Sequence, residues 1–246
     1  MLTISHLKKR FGQRTILEDI DLTVHQGDVI TLIGPSGSGK TTFLRIITTL
    51  EQADGGHIQF AGIDKDFADL TKRDIQTIRR NVGFVFQNYN LFNNKTVLQN
   101  VTEGLIVAQK RSKAAAKAIA VSALAKVGLA DFQDYYPSQL SGGQAQRVGI
   151  ARAIALNPKV IFFDEPTSAL DPELVTDVLQ VMRQLAAEGM TMVVITHQMS
   201  FARDVSNQVI FMADGHVIEK GQPSQLFTTP KVSRTKQFLA EILATV

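Results

Sequence analysis

The sequence predicts an α/β fold, a largely parallel sheet between helices with a helical subdomain inserted into it. Three observations predict it. Residues 29–33 (VITLI), 160–163 (VIFF) and 191–195 (TMVVI) are short, apolar and mostly β-branched. They lack polar alternation, as strands covered on both faces do. The first of them runs straight into a glycine-rich loop, GPSGSGKTT at 34–42, and a helical pattern follows. From 88 to 150 the texture changes to helix-length segments, one of them alanine-rich.

Taken in order, LTISHL within residues 2–8 and IDLTV at 20–24 alternate and read as strands. His25-Gln26-Gly27-Asp28 is a turn, and 29–33 is the first buried strand. Residues 40–50 read as a helix, Asp54-Gly55-Gly56 as a turn, and 57–60 as a strand closed by Ala61-Gly62. A helix over 69–80 precedes a strand over 82–86 that ends at Gln87. Residues 96–108 and 112–127 are helix-like; alanine costs little entropy in a helix, and Gly128 stops the second one. A Tyr-Tyr-Pro turn at 135–137 leads to LSGGQ and a long helix to about Leu156. The α/β pattern resumes with VIFF, a helix near 172–187, the strand MTMVVI, a helix near 199–206, a strand over 208–213 and a hairpin arm at 214–221. The expected division is an α/β core with a β arm over 1–87 and 151–222, a helical insert over 88–150, and a helical appendage over 223–246.

Composition excludes several classes. With 44% hydrophobic and 20% charged residues in 246, the chain reads as folded rather than disordered. Its apolar runs are strand-sized, far short of the ~20 residues that cross a bilayer. The first residues, MLTISHLKKRFG, lack the apolar stretch of a secretory signal, which points to the cytoplasm. The absence of cysteine excludes a disulfide scaffold, a thiol nucleophile and cysteine-ligated metal. A net charge of +3 is too small and too dispersed for a nucleic-acid partner to be expected. One basic cluster, Lys110, Arg111, Lys113 and Lys117, reads first as a solvated helix face and second as a contact to anionic lipid or a partner.

GPSGSGKT fits G-x-x-x-x-G-K-[ST] with Gly34, Gly39, Lys40 and Thr41 in the required places. The loop Gly34, Pro35, Ser36, Gly37, Ser38, Gly39 wraps tightly enough to aim successive N–H groups at phosphate oxygens. The helix that starts near Lys40, with Thr41 and Thr42 in its first turn, aims its free N–H groups at the same charge. Lys40 should reach the β- and γ-phosphates, and the Thr41 hydroxyl a magnesium ion.

VIFFDE at 160–165 supplies the second half of that chemistry. Asp164 falls at the carboxyl end of a buried strand, where open α/β sheets place their ligands, and suits Mg²⁺. Glu165, one residue on, is placed to orient or deprotonate an attacking water. His197 follows the buried strand VVIT; on position alone it is structural, but a parallel strand delivering it to the same edge suits a γ-phosphate contact. Gln87 ends the strand VGFVF, and its amide could sense metal or water. In LSGGQ, Ser141 is a good helix N-cap, and Gly142 and Gly143 expose backbone N–H groups at a long helix's start. Such a second phosphate-binding end is most economically part of a site in another copy, related by two-fold symmetry. An ordinary serine-capped helix is the plain alternative.

Taken together these motifs resemble the nucleotide-binding subunit of ATP-binding cassette (ABC) transporters over essentially the whole chain. The family's Walker A falls on 34–41, the Q-loop residue on Gln87, the signature on LSGGQ with Gln144, Walker B on 160–165, the D-loop on SALD at 168–171, and the switch histidine on His197. The base-stacking aromatic falls on Phe11 of KKRFG, with core filling as the alternative. The resemblance implies a P-loop NTPase with a RecA-like core, an antiparallel β subdomain and an inserted helical subdomain. It implies ATP and Mg²⁺ as cofactors, with Thr41, Gln87 and Asp164 at the metal. ATP would lie between Walker A of one copy and Ser141, Gly142, Gly143 and Gln144 of a second in a head-to-tail dimer, with Asp171 communicating across it. ATP hydrolysis would drive solute translocation through two membrane permease subunits, with an extracellular or periplasmic solute-binding protein. The chain would sit peripherally at the cytoplasmic face of the membrane.

Within the family, QNYNLFNNKTVLQNV at 87–101, residues 135–175 and residues 197–227 are similar to the polar amino acid uptake group. Asn93-Asn94, Gln198 and Gly149 depart from its usual pattern, and none is a presumed catalytic group. The competing functions are an exporter or lipoprotein-release ATPase with the same motifs, and a soluble nucleic-acid-associated ATPase. Members of the latter class usually carry two cassettes or a coiled-coil insertion, and this sequence has neither.

Overall fold

The structure, a computed structural model, describes residues 1–243. Residues 244–246, the end of the expected appendage, lie outside the described residues. The chain divides into two compact units, residues 1–79 with the segment from 189 onward, and residues 80–188.

The first unit begins with β1 (Leu2–Phe11) and β2 (Arg14–Val24), an antiparallel pair. Both are longer than hydrophobic alternation indicates. Arg14 and Thr15 pair in β2 but face solvent, so their polarity hides the strand. The ladder slips between Ile4 and Leu7, beside His6 at φ 53°, and that bulge breaks the sequence alternation. After β3 (Val29–Ile33) and α1 (Lys40–Ile47) come β4 (Gly55–Phe60), β5 (Ile63–Asp66) and α2 (Lys72–Asn81). The strand β5 (IDKD) was not expected; its charges face outward on an edge strand, in a sheet of order β2-β1-β4-β5. Helix α1 ends at Ile47, with Thr49 in a left-handed conformation, rather than at residue 50.

The second unit holds β6 (Val82–Val85), α3 (Val97–Val107), α4 (Lys113–Lys126), α5 (Gly142–Ala155), β7 (Val160–Asp164) and α6 (Pro172–Ala187). Strands β6 and β7 pair in parallel, and every residue of β7 is buried. Burying Phe162 and Phe163 contributes about 1.5–3 kcal/mol each. Helices α3, α4 and α5 pack mutually. Ala116, Ala120 and Ala123 of α4 are buried, and small side chains permit close approach. Asn100 is fully buried in α3; its amide donates to the Phe92, Lys95 and Thr96 carbonyls and accepts from Phe92 N–H, which fixes the chain entering the helix.

Back in the first unit come β8 (Met192–Ile195), α7 (Met199–Val205), β9 (Gln208–Ala213) and β10 (His216–Gly221). Strand β3 lies between β8 and β9, parallel to both, and β10 is antiparallel to β9. The tail is two helices, α8 (Pro223–Thr228) and α9 (Ser233–Leu243). Leu226, Phe227 and Leu239 join Ile33, Val209 and Phe211 in one core cluster, so the tail is part of the core.

Candidate functional site

The phosphate loop leaves β3 at Gly34, whose φ is 147°. A Cβ there would stand 2.0 Å from the Met212 carbonyl oxygen of β9, so only glycine fits. The loop is wrapped around its own lysine. Lys40 is only 5% exposed, and its Nζ donates to the Gly34 and Pro35 carbonyls at 2.8 Å each and to Ser38 Oγ at 3.2 Å. Ser38 N–H closes the turn onto the Pro35 carbonyl at 3.3 Å. No side chain caps α1 at Gly39, and its first turn carries no acidic residue. The positive end of α1 is thus directed at the loop with no acidic side chain in its own first turn, as at anion-binding helix ends. Ser36 and Gly37 are exposed at the crest, and Thr41 and Thr42 are half-buried in the first turn.

His197 belongs to the same edge. Leu32 of β3 pairs with Ile195 of β8, so the phosphate loop and His197 leave neighbouring strand ends in parallel. His197 is exposed, and Thr196 Oγ1 accepts from Gln198 N–H at 3.0 Å in that turn. Phe11, at the end of β1, is 50% exposed, which excludes core filling. The Lys9 ammonium lies 4.7 Å from its ring centroid and is itself held by Glu51 and the Gln52 carbonyl.

The second unit carries the carboxylates and the LSGGQ segment. Asp164 is the last residue of β7 and 4% exposed. Glu165 follows at φ 49°, a left-handed conformation that costs a non-glycine residue of order 1–3 kcal/mol. A tight turn holds it there: Ser168 donates to the Glu165 carbonyl from N–H at 3.2 Å and from Oγ at 2.9 Å, and Leu170 N–H bonds the Thr167 carbonyl at 3.2 Å. Asp171 is exposed at the start of α6. Ser141 caps α5 in a full capping box: its Oγ accepts from Gln144 N–H, and Gln144 Oε1 accepts from Ser141 N–H. Gly143 is buried against Leu174, Gly142 is half-buried, and Gln87 is exposed in the loop after β6.

Among the described residues no group of three or more His, Cys, Asp or Glu could hold a metal ion. The second unit offers one buried carboxylate, Asp164, and an exposed amide, Gln87, and the first unit separately offers the half-buried Thr41 hydroxyl. Oxygen donors of these kinds suit Mg²⁺, which keeps several waters and takes its other ligands from phosphate.

Three residues absent from the sequence reading organise the Gln87 loop. Gln146 of α5 donates to the Phe86 carbonyl, Arg152 donates to the Tyr89 and Asn90 carbonyls, and the Tyr89 hydroxyl donates to the Ala169 carbonyl. No sequence signal singles them out, since α5 carries Gln144 and Arg147 as well as Gln146 and Arg152.

The model of the ABC transporter family matches residues 17–168, more than half the chain. This chain belongs to the ABC transporter family. The dimeric ATP-binding cassette MJ0796, in a post-hydrolysis state bound to ADP and Pi, superposes with a TM-score of 0.80 at 35% identity, covering 91% of this chain and 99% of that one. The fold is therefore that of an ABC ATPase, a RecA-like core with an antiparallel sheet and an inserted helical subdomain, and its ligand is ATP. The L-cystine transport system ATP-binding protein TcyN of Escherichia coli is 52% identical over 245 residues, 98% of each chain. The arginine transport ATP-binding protein ArtM of Bacillus subtilis is 48% identical over 245 residues, 99% of this chain and 100% of its own. Among the described residues no helix is long and apolar enough to cross a membrane.

Proposed function

We propose that this chain is the ATP-hydrolysing subunit of an amino acid importer, acting peripherally at the cytoplasmic face of a membrane beside two permease subunits and a solute-binding protein. The observation that carries the reading is end-to-end similarity at about half identity to transport ATPases for two chemically different amino acids, cystine and arginine. The same spread supports "amino acid" as the substrate class without favouring one member.

In this reading Lys40, Thr41, Thr42 and the N–H groups of residues 34–39 hold the phosphates, and Phe11 stacks on the base. Bound magnesium, at Thr41, Gln87 and Asp164, supplies neutralisation of charge on the phosphate oxygens. Glu165 orients and deprotonates the water, which is the task its held left-handed backbone suits. His197 donates to the γ-phosphate. Ser141, Gly142, Gly143 and Gln144 bind the nucleotide of a second copy in a head-to-tail dimer, and Asp171 reaches across it.

Phosphate release by Glu165→Gln tests the chemistry: nucleotide binding should persist while turnover falls at least a hundredfold, and undiminished release overturns the assignment. Uptake of labelled amino acids by cells lacking the chain tests the transport reading. Import should fall for at least one and return with the wild-type gene; unchanged uptake of all of them sinks it.

A further inference from the structure

Tyr89 lies two residues beyond Gln87 and is the contact between two segments of the second unit. Its hydroxyl donates to the Ala169 carbonyl at 3.3 Å, within the turn that holds Glu165 and leads to Asp171. The same oxygen would stand 2.8 Å from a Cβ placed on Gly142, so the signature glycine leaves room for the phenol. On the other side the loop is fixed to α5. Tyr89 and Asn90 are both left-handed, at φ 56° and 49°, and the half-buried Arg152 guanidinium bonds both their carbonyls, at 3.1 and 2.7 Å. Gln146 pins the Phe86 carbonyl at 3.1 Å. The loop around Gln87 is therefore clamped to α5 at both ends, and Tyr89 is its link to the next loop. Burial, and then the Asp171 carboxylate, raise the phenol above its ordinary pKa, so it stays a donor.

The chain of bonds runs on without a break. Tyr89 holds Ala169, and Ser168, one residue earlier, holds the Glu165 carbonyl twice. We propose that Tyr89 is a positioning residue that couples the Gln87 loop to the Glu165–Asp171 turn, so that a displacement of Gln87 is delivered to the hydrolytic carboxylate. This rests on the reading of Glu165 as the group that activates water.

The test uses the full-length chain and four variants: Tyr89→Phe, Gln87→Ala, their double, and Glu165→Gln. Tyr89→Phe keeps the ring and removes only the hydroxyl. Its kcat for ATP should fall about three- to tenfold, the worth of one neutral hydrogen bond, with KM unchanged and Tm lowered by no more than about 5 °C. The double variant should lose no more kcat than the stronger single one, because both interrupt one linkage. A wild-type kcat in Tyr89→Phe, or losses that multiply in the double variant, overturns the proposal. So does a lower Tm with a raised KM, which would mark a merely structural tyrosine. Glu165→Gln separates the two levels: if it still turns over, the reading of Glu165 fails, whereas a dead Glu165→Gln beside a wild-type Tyr89→Phe sinks the coupling alone.

Discussion

Substitution of Gly34 by alanine isolates what the phosphate loop demands of the backbone. Gly34 has φ 147°, and an added Cβ would stand 2.0 Å from the Met212 carbonyl oxygen and 3.1 Å from its carbon. The obstruction is backbone of β9, hydrogen-bonded beside β3, so it cannot rotate away as a side chain could. Overpacking costs about 1–3 kcal/mol and the backbone conformation about 1–2 kcal/mol more. For a chain of this size each kcal/mol lowers Tm by about 2–4 °C, so the melting point should fall by on the order of 10 °C. Gly37→Ala is the internal control: its φ is 78°, but nothing lies within 4 Å of the added carbon. It carries the conformational cost alone and should lower Tm by roughly 2–8 °C. Thermal melts followed by circular dichroism, with titration of a fluorescent ATP analogue, read both effects. Equal Tm values for the two variants would refute the argument that the close approach of β9, rather than backbone angle, makes glycine obligatory at 34.

Three further outcomes follow from the geometry. Mixed dimers of wild type with Ser141→Arg should hydrolyse ATP well below the wild-type rate, because the substituted end would serve the other copy's nucleotide; full-rate mixed dimers would remove the composite site. Asn100→Ala leaves the Phe92 N–H and carbonyl without their buried partner and should cost about 1–3 kcal/mol, read as a lower denaturant midpoint; an unchanged midpoint contradicts it. Hydrogen bonds from His57 to Asp64 first, and Asp66 second, raise its pKa above the ordinary 6.5. The protonated form is thus favoured by folding: its stabilisation is complete below about pH 6.5 and is lost as pH rises through the raised value. His57→Gln should remove that part of the pH dependence of Tm, a small one for an exposed group. His6, raised in the same direction by Asp19, persists in both proteins, so the difference between the two curves is the readout. Parallel curves would show that the His57 bonds do not form.

How legible the fold was in the sequence depended on what each segment buries. Strands β3, β7 and β8 have every residue buried, and their unbroken apolar runs announced them. Strand β5 and the start of β2 bury little, so composition carried no signal, and the bulge at His6 blurred the alternation of β1 further. The site divided in the same way. The residues proposed to touch phosphate or water stand in motifs of fixed spacing, which is why the sequence drew attention to Lys40, Asp164 and Glu165, and to His197 only beside them. Tyr89, Gln146 and Arg152 act on backbone carbonyls, which any donor of suitable length can reach, so no residue pattern marks them. The tail was the clearest shortfall: its helices seal Ile33 and Phe211, which no local pattern in 223–243 reveals.

Lys40 has a consequence for how nucleotide enters. Its ammonium already satisfies two carbonyls and a hydroxyl of its own loop, so the wrapped shape is held by a cation within the chain. If Lys40 holds the phosphates as proposed, a triphosphate arriving there meets a formed seat, and the event is a trade of hydrogen-bond partners by one buried charge rather than the ordering of a loose loop. Little new apolar surface is covered in such an exchange, so calorimetry of the phosphate moiety should show favourable enthalpy with only a small change in heat capacity. The loop spends its ordering cost when the protein folds, long before nucleotide is present.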